Sequence, residues 1–479
     1  MHPALVRYAF YPLHEQLLGR PTLRYLRELE DSQWLAPLEL RSLQQERLRA
    51  LLDHAGAHTD FYRRRLQRSA VEANSPNILK DFVHLPLLDK QEIKEFLPDM
   101  LWPAAPGGLT EAHTGGSSGE PLRFFVDRRR QAVDQAARLR VYRWFGMELG
   151  QRELYLWGSP IENRRTDVLR RWRDRLTNHR LLSAFDMSCP RMDRYLDDLQ
   201  TFQPSCLYGY PSSLTLLVEH AQRRGRRLRL PKLRAVFVTG EVCFPHHRET
   251  LTDYFQVPVA NGYGSREAGF IAHECPLGNM HISAENMIVE IVPGQAEHQA
   301  DTPQDPLSSG DQRSGAPPVY APSGEIVVTH LDAFGMPLIR YRTGDIGRLR
   351  PGRCACGRGL PLLDVVAGRS TDFLYLPSGV IKHALSIIYP LRSMSDVRQF
   401  RVTQQADYSI TVQIVPVCDD LLTPARVARR LHPVLGDEID VDVQCVDRLP
   451  TADSGKFRYV VSHAQPPMPI APTHEVAHA

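Results

Sequence analysis

Ala235-Val236-Phe237-Val238-Thr239-Gly240-Glu241 is the stretch that decides the fold. Its β-branched and aromatic residues make a short strand-like run that halts at a glycine. Three further runs of this kind lie at Glu153–Trp157, Cys206–Tyr208 and Val257–Ala260, with amphipathic helical stretches between them across 131–290. Strands alternating with helices predict an α/β domain with parallel or mixed sheets, whose loops at the carboxyl ends of the strands hold ligands.

Working outward, residues 1–105 read as a helical segment, with Leu38, Leu40, Leu43, Leu48, Leu51 and Leu52 at helical spacing. Residues 294–323 are rich in Pro, Gly, Ser, Gln and Asp and read as a flexible insert, after which Glu325–Thr329 resumes as strand. From Gly368 the text becomes α+β, with strands at Phe373–Leu376, Tyr408–Val415 and Ile439–Val446 and a helix near 423–435. The expected organisation is a large N-terminal domain over 1–367, a small mobile C-terminal domain over 368–463 and a disordered tail over 464–479. A chain of 479 residues is too long for one core, which rarely grows past roughly 300 residues.

Composition narrows the function. The 58 basic and 55 acidic side chains nearly balance, which argues against a dedicated nucleic-acid binder. The cluster Arg223-Arg224-Gly225-Arg226-Arg227 reads as a solvated helix end. No run approaches the roughly 18–20 apolar residues of a membrane span, so a cytoplasmic location is expected. Eight cysteines in such a length are too few for a disulfide scaffold.

Thr114-Gly115-Gly116-Ser117-Ser118-Gly119-Glu120-Pro121 combines three glycines with three hydroxyls. Such a loop can turn several N–H groups toward a polyanion, or can be an ordinary solvated loop. No Lys-Ser or Lys-Thr follows at Walker spacing. Further along, Asp345 follows a Thr-Gly turn and either accepts from two vicinal hydroxyls or caps its own turn. Tyr263, in Gly262-Tyr263-Gly264, either stacks on a flat base or fills the core, and Glu267, near a helix start, either holds a hard cation or is exposed.

Taken in order, these segments resemble the signature of the adenylate-forming ligases, the superfamily of acyl-CoA synthetases and luciferases. The resemblance is strongest to the phenylacetate–CoA ligase family and its capsule-biosynthesis, CapK-like branch. Pro86–Ile93 is similar to that branch's opening segment, and Thr114–Pro121 to its phosphate loop. Phe237–Glu241 and Asn261-Gly262-Tyr263-Gly264-Ser265-Arg266-Glu267 resemble its nucleotide motifs. Arg340–Asp345 resembles its ribose motif, Gly368-Arg369-Ser370-Thr371-Asp372 its hinge, and Leu449–Arg458, with Lys456, its C-terminal lysine loop.

The resemblance implies an enzyme that activates a carboxylate with ATP and Mg²⁺. The acid attacks the α-phosphorus, pyrophosphate leaves, and CoA displaces AMP from the acyl-adenylate. Lys456 would offset charge at the reacting phosphorus, Glu267 would hold Mg²⁺, and Arg369 would serve both nucleotide binding and catalysis. Thr114, Gly115, Gly116, Ser117, Ser118, Gly119, Gly240, Glu241, Asn261, Gly262, Tyr263, Gly264, Ser265 and Asp345 would bind nucleotide. An aryl or arylacetic acid is the implied substrate, with Trp157, Tyr208, Tyr210, Phe237 and Phe270 as pocket candidates.

One position departs from the pattern. The family's hinge is an Asp pair, whereas Thr371 precedes Asp372 here, which leaves the acceptor open between CoA and an amine or carrier-protein thiol. A non-catalytic nucleotide-binding relative is the remaining alternative. The partners expected are the acid, ATP, the acceptor and a second copy of the chain in a homodimer, with no nucleic acid.

Cys354-x-Cys356 reads as half of a zinc knuckle, with Cys275 and His281 as the other half and His273 as a substitute imidazole. Thiolates with one imidazole give a closed, structural tetrahedral site.

Overall fold

The computed structural model describes residues 1–114, 122–157, 173–184, 187, 189–292, 323–369, 373–377, 381–383, 387, 390–391, 394, 396–416, 424–436, 438–449 and 459–464. The chain forms two compact units that part between Val366 and Ala367.

The first hundred residues are helical. The longest helix there, Pro37–His58, begins with a proline, whose missing N–H costs nothing at that position. Glu39 closes its first turn by accepting the Ala36 N–H at 2.8 Å. It buries Leu40, Leu48, Leu51, Leu52 and Ala55, while Leu38 points to solvent. Gln44, buried on the same face, donates to the carbonyls of Ala284 and Met287 at 2.8 and 3.0 Å and so ties the helix to the main sheet.

A two-stranded ribbon follows, β1 (Thr110–His113) antiparallel to β2 (Arg123–Val126). The main sheet then begins with β3 (Glu153–Trp157), β4 (His179–Ser183), β5 (Cys206–Gly209), β6 (Ala235–Thr239) and β7 (Val259–Ser265). These five are parallel to their neighbours in the order β4-β3-β5-β6-β7. Helices Cys189–Phe202, Pro211–Arg223 and Pro245–Phe255 alternate with them. Leu207, Val236 and Val238 are fully buried, as strands covered on both faces must be.

Beyond β7 the sheet turns antiparallel. It continues through β8 (Gly269–Glu274) and β9 (Met280–Ile282), then β13 (Leu362–Arg369), β12 (Tyr341–Arg350), β11 (Gly324–His330) and β10 (Met287–Val292). Among the described residues the whole is an 11-stranded mixed sheet, in agreement with the expected α/β class. The short β9 is the seam: it meets β8 on one side and β13 on the other, where Leu362 lies opposite His281.

Strand β12 begins at an unusual residue. Arg340 has φ of 53°, a left-handed backbone that a side chain adopts only under constraint. The constraint is a buried ion pair with Glu290 at 2.8 Å, together with bonds from the guanidinium to the carbonyls of Val83 and Leu85. Leu88 and Tyr341 pair as an isolated parallel bridge, so Pro86–Ile93 runs beside the start of β12.

The second unit holds a hairpin of β14 (Phe373–Tyr375) with β15 (Ile381–His383). Its four-stranded sheet runs β18-β17-β16-β19, made of β16 (Val397–Gln404), β17 (Ile410–Pro416), β18 (Val441–Cys445) and β19 (Val460–Ser462). Helix Pro424–Leu435 buries Val427, Leu431 and Leu435. Buried Gln404 binds the N–H and carbonyl of Tyr375, which joins hairpin to sheet.

Candidate active site and metal centre

The carboxyl ends of β6 and β7 meet the middle of β12, and polar groups gather there. Thr239 Oγ1 donates to the Gly262 carbonyl at 2.7 Å, which fixes the end of β6 to β7. Tyr263 Oη donates to Asp345 Oδ2 at 2.9 Å and lies 3.4 Å from Thr343 Oγ1. Thr343 spends its own proton on the Ile326 carbonyl at 2.7 Å and accepts the Asp345 N–H at 3.1 Å. The single tyrosine proton therefore goes to the carboxylate, the shorter and charge-assisted contact. Half-buried Tyr263 is thus tied to Asp345 by its hydroxyl.

Glu267 is buried and accepts from Tyr341 Oη at 3.0 Å. It sits in the tight turn between β7 and β8, not near a helix start as the sequence suggested. Two glycines explain the hairpin. A Cβ on Gly264 would stand 2.3 Å from the Gly269 carbonyl, and Gly269 itself has φ of 84°.

The helix Arg128–Trp144 holds this turn from beneath. Arg130 donates to the Arg266 carbonyl at 3.1 Å, and Asp134 Oδ1 receives the Phe270 N–H at 3.4 Å. Asp134 also pairs with buried His330 at 3.3 Å. Burial works to raise the Asp134 carboxyl, but the His330 bond and the nearby Arg130 guanidinium hold it below the usual carboxylate range. Sequence reading had assigned no role to Arg130, Asp134, His330 or Tyr341.

Glu241 accepts from the Ser212 hydroxyl at 2.6 Å, at the start of helix Pro211–Arg223. A carboxylate there meets the positive end of the helix. Gly240 has φ of 82°, and a Cβ there would press on the stacked rings of Tyr210 and Trp157, whose centroids are 4.2 Å apart. Tyr208 stacks on Tyr155, whereas Phe237 is wholly buried against Tyr142 and Phe145 in the core. Phe270 stacks on His273. The Asn261 N–H donates to Glu274 Oε2 at 2.7 Å.

Thr114 ends the β1 ribbon with its hydroxyl accepting the Leu122 N–H at 2.9 Å. Gly115, Gly116, Ser117, Ser118 and Gly119 lie outside the described residues, as do Thr371, Asp372, Lys456, the 294–322 stretch and the tail from 465. Arg369 closes β13 in the backbone.

Cys275, His281, Cys354 and Cys356 come together from the β8–β9 hairpin and the turn before β13, with all four ligand atoms within 4.8 Å of one another. The Cys275 and Cys354 sulfurs are 3.8 Å apart, and Cys356 Sγ is 3.3 Å from His281 Nε2. A tetrahedral zinc with Zn–S near ~2.3 Å and Zn–N near ~2.0 Å spaces its ligands by roughly these distances. His281 Nδ1 lies 3.1 Å from the Leu360 carbonyl, a bond that puts its proton there and turns the bare Nε2 inward. Burial pushes the Cys275 thiol up to about 11, whereas hydrogen bonds from the Cys356 N–H and Asn279 outweigh burial and lower Cys354. The donor set and its support fit a structural metal, and the imidazole comes from His281, with His273 packed instead on Gly262.

The AMP-binding enzyme family model matches residues 181–311. The chain is 23% identical to the phenylacetate-coenzyme A ligase of Thermus thermophilus over 464 residues, covering 88% of this chain and 96% of that protein. It is 20% identical to Protein CapK of Staphylococcus aureus, over 89% of this chain and 90% of that one. Among solved structures it is similar to 2-hydroxyisobutyryl-CoA ligase in the postadenylation state with an acyl-AMP, at 18% identity and a TM-score of 0.70, covering 90% and 91% of the two chains.

The family match, the curated relatives and the fold support an enzyme of the adenylate-forming ligase type. Within that class, the curated proteins it resembles are phenylacetate-coenzyme A ligases and CapK.

Proposed function

We propose that this protein joins a carboxylic acid to a thiol acceptor through an acyl-adenylate. ATP and the acid are the first substrates, an aryl or arylacetic acid is favoured, and CoA is the acceptor. The observation that carries this reading is the Tyr263–Asp345–Thr343 cluster and buried Glu267, gathered where the carboxyl end of β7 meets β12. Asp345 offers a fixed carboxylate for vicinal ribose hydroxyls, oriented by Tyr263 before the nucleotide arrives.

In the first step a carboxylate oxygen of the acid attacks the α-phosphorus and the bond to pyrophosphate breaks. The protein's task is placement and charge stabilisation rather than covalent catalysis. Backbone N–H groups and hydroxyls of Thr114–Gly119 would cradle the phosphates, Glu267 would hold Mg²⁺ against them, and Gly240, Glu241, Asn261 and Ser265 would line the nucleotide. Lys456 and Arg369 would offset the developing negative charge. Trp157, Tyr208 and Tyr210 are the aromatic wall we assign to the acid. In the second step the CoA sulfur attacks the acyl carbon and AMP departs. The four-ligand centre would hold zinc as a structural tie, with no open position and no part in the reaction.

A second reading hands the acyl group to an amine or a carrier-protein thiol. Thr371 at the hinge, where the family has an aspartate, favours it. Pyrophosphate exchange with a panel of aryl, arylacetic and amino acids tests adenylation, and AMP release with CoA, hydroxylamine or candidate amines separates the acceptors. Lys456→Ala is expected to lower exchange by roughly a hundredfold or more, the size of a lost electrostatic stabiliser. Unchanged exchange in that variant, or none with any acid in the parent, refutes the reading.

A further inference from the structure

At the amino ends of β3–β6, the end of the sheet away from the nucleotide cluster, two unusual surfaces adjoin. The first is the N-terminal helical stretch Pro3–Leu17. It faces Val6, Tyr11 and Glu15 inward and leaves Leu5, Tyr8, Leu13 and Leu17 exposed, the last three at 73%, 55% and 78%. The usual polarity is inverted. Glu15, the only acid among the first 27 residues, is buried against Arg20 and Thr22, while leucines face solvent. The outer face carries leucines and Tyr8, with Arg7, paired to Glu148, as the charged side chain beside them, and such an apolar face is costly in water unless something covers it.

The second surface is the loop from Arg223 to Arg234, after helix Pro211–Arg223 and before β6. Arg223, Arg224, Arg227, Arg229, Lys232 and Arg234 are exposed there, and no acidic residue occurs between Glu219 and Glu241. Nearby acids are already neutralised: Asp193 pairs with His220 and Arg224, Asp197 with Arg226, and Asp198 with Arg180. A net positive field is left at the loop.

A run of short contacts joins the two surfaces. Asn178 donates to the carbonyls of Met1 and Gly150. The Ser205 N–H bonds the Arg152 carbonyl, and the Arg234 N–H bonds the Ser205 carbonyl. The Gln200 and Gln203 side chains hold the Arg229 carbonyl and fix the basic loop on helix Cys189–Phe202.

We infer that this end of the first unit docks on an anionic lipid surface, the basic loop supplying charge and the helix Pro3–Leu17 laying its leucines at the headgroup boundary. Charge complementarity selects this occupant. A second copy of the chain would set the arginines of one loop near those of the other, whereas a lipid surface supplies negative charge and an apolar layer side by side. The crevice at the opposite ends of the strands is left open to solution. The inference does not depend on the ligase reading.

The test is flotation of the full chain with vesicles of phosphatidylcholine alone and with about one third phosphatidylglycerol. Binding is expected only to the anionic vesicles, and to fall with added salt. R223Q/R227Q/R229Q/K232Q should weaken it by roughly fivefold per charge removed. L13Q/L17Q should weaken it at least about tenfold, with circular dichroism unchanged because both side chains are exposed. Equal binding to neutral vesicles, no binding to either, or full binding by either variant overturns the proposal. So does a concentration-dependent dimer abolished by L13Q/L17Q, which would show that a second copy covers the face.

Discussion

Replacing Tyr263 with phenylalanine keeps the ring and removes one proton donor. The lost bond, 2.9 Å to a carboxylate oxygen, belongs to the class with a charged acceptor, worth ~1.5–3 kcal/mol. Tyr263 is half-buried, so the lower end applies, about 1.5 kcal/mol or roughly tenfold in an equilibrium constant. Asp345 would hold the ribose alike in ground and transition states. The loss should therefore appear as about a tenfold higher KM for ATP, with kcat within about threefold of the parent. Pyrophosphate exchange at varied ATP measures both. A double-mutant cycle with Asp345→Asn isolates the contact and should return a coupling of about 1 kcal/mol. A KM within about twofold of the parent, together with zero coupling, would refute the reasoning, because the tyrosine would then not be orienting a nucleotide ligand.

Cys354→Ser removes a thiolate from the four-ligand cluster and should lower bound zinc from about one per chain to well below half of that, with a lower melting temperature; equal metal content by elemental analysis would exclude the site. Glu290→Gln strands the Arg340 guanidinium, and urea unfolding of the first unit should show a loss of about 3–5 kcal/mol; no change in midpoint would mean that the pair is not what holds Arg340 left-handed. For Asp134 the sign follows from a folded pKa below the unfolded one. Its carboxylate stabilises the fold above about pH 4 and loses that contribution as pH falls through the depressed value. The gap in melting temperature between the parent and Asp134→Asn should therefore be constant near neutrality and shrink below about pH 4; a gap that widens with acid contradicts the assignment.

Much of the sheet could be read from the chain because its parallel half is written as short apolar runs ended by glycine. Glu153–Trp157 and Ala235–Thr239 appear as strands with those bounds. The antiparallel half was less legible. β8, β9, β12 and β13 carry motif residues and histidines and are flanked by cysteines, and such residues reveal chemistry more readily than periodicity. Cys275 and Cys354 could be paired on paper because thiol ligands are rare and conspicuous. Tyr341 could not be assigned to Glu267, since their meeting depends on β12 and β7 lying across three intervening strands. The helix start expected at Glu267 gave way to a hairpin because Gly264 and Gly269 let two backbones approach more closely than any side chain permits.

The seam has a consequence for how the chain acquires its shape. β13 slots between β9 and β12, although β9 is finished near residue 282 and β13 starts only at Leu362. As the polypeptide leaves the ribosome, the parallel strands and their helices can assemble early, since their partners are near in sequence. The antiparallel sheet keeps two bare edges until that late strand arrives. A truncation just before Leu362 would leave both edges available to other chains, so aggregation of nascent or shortened forms is the natural failure of this architecture.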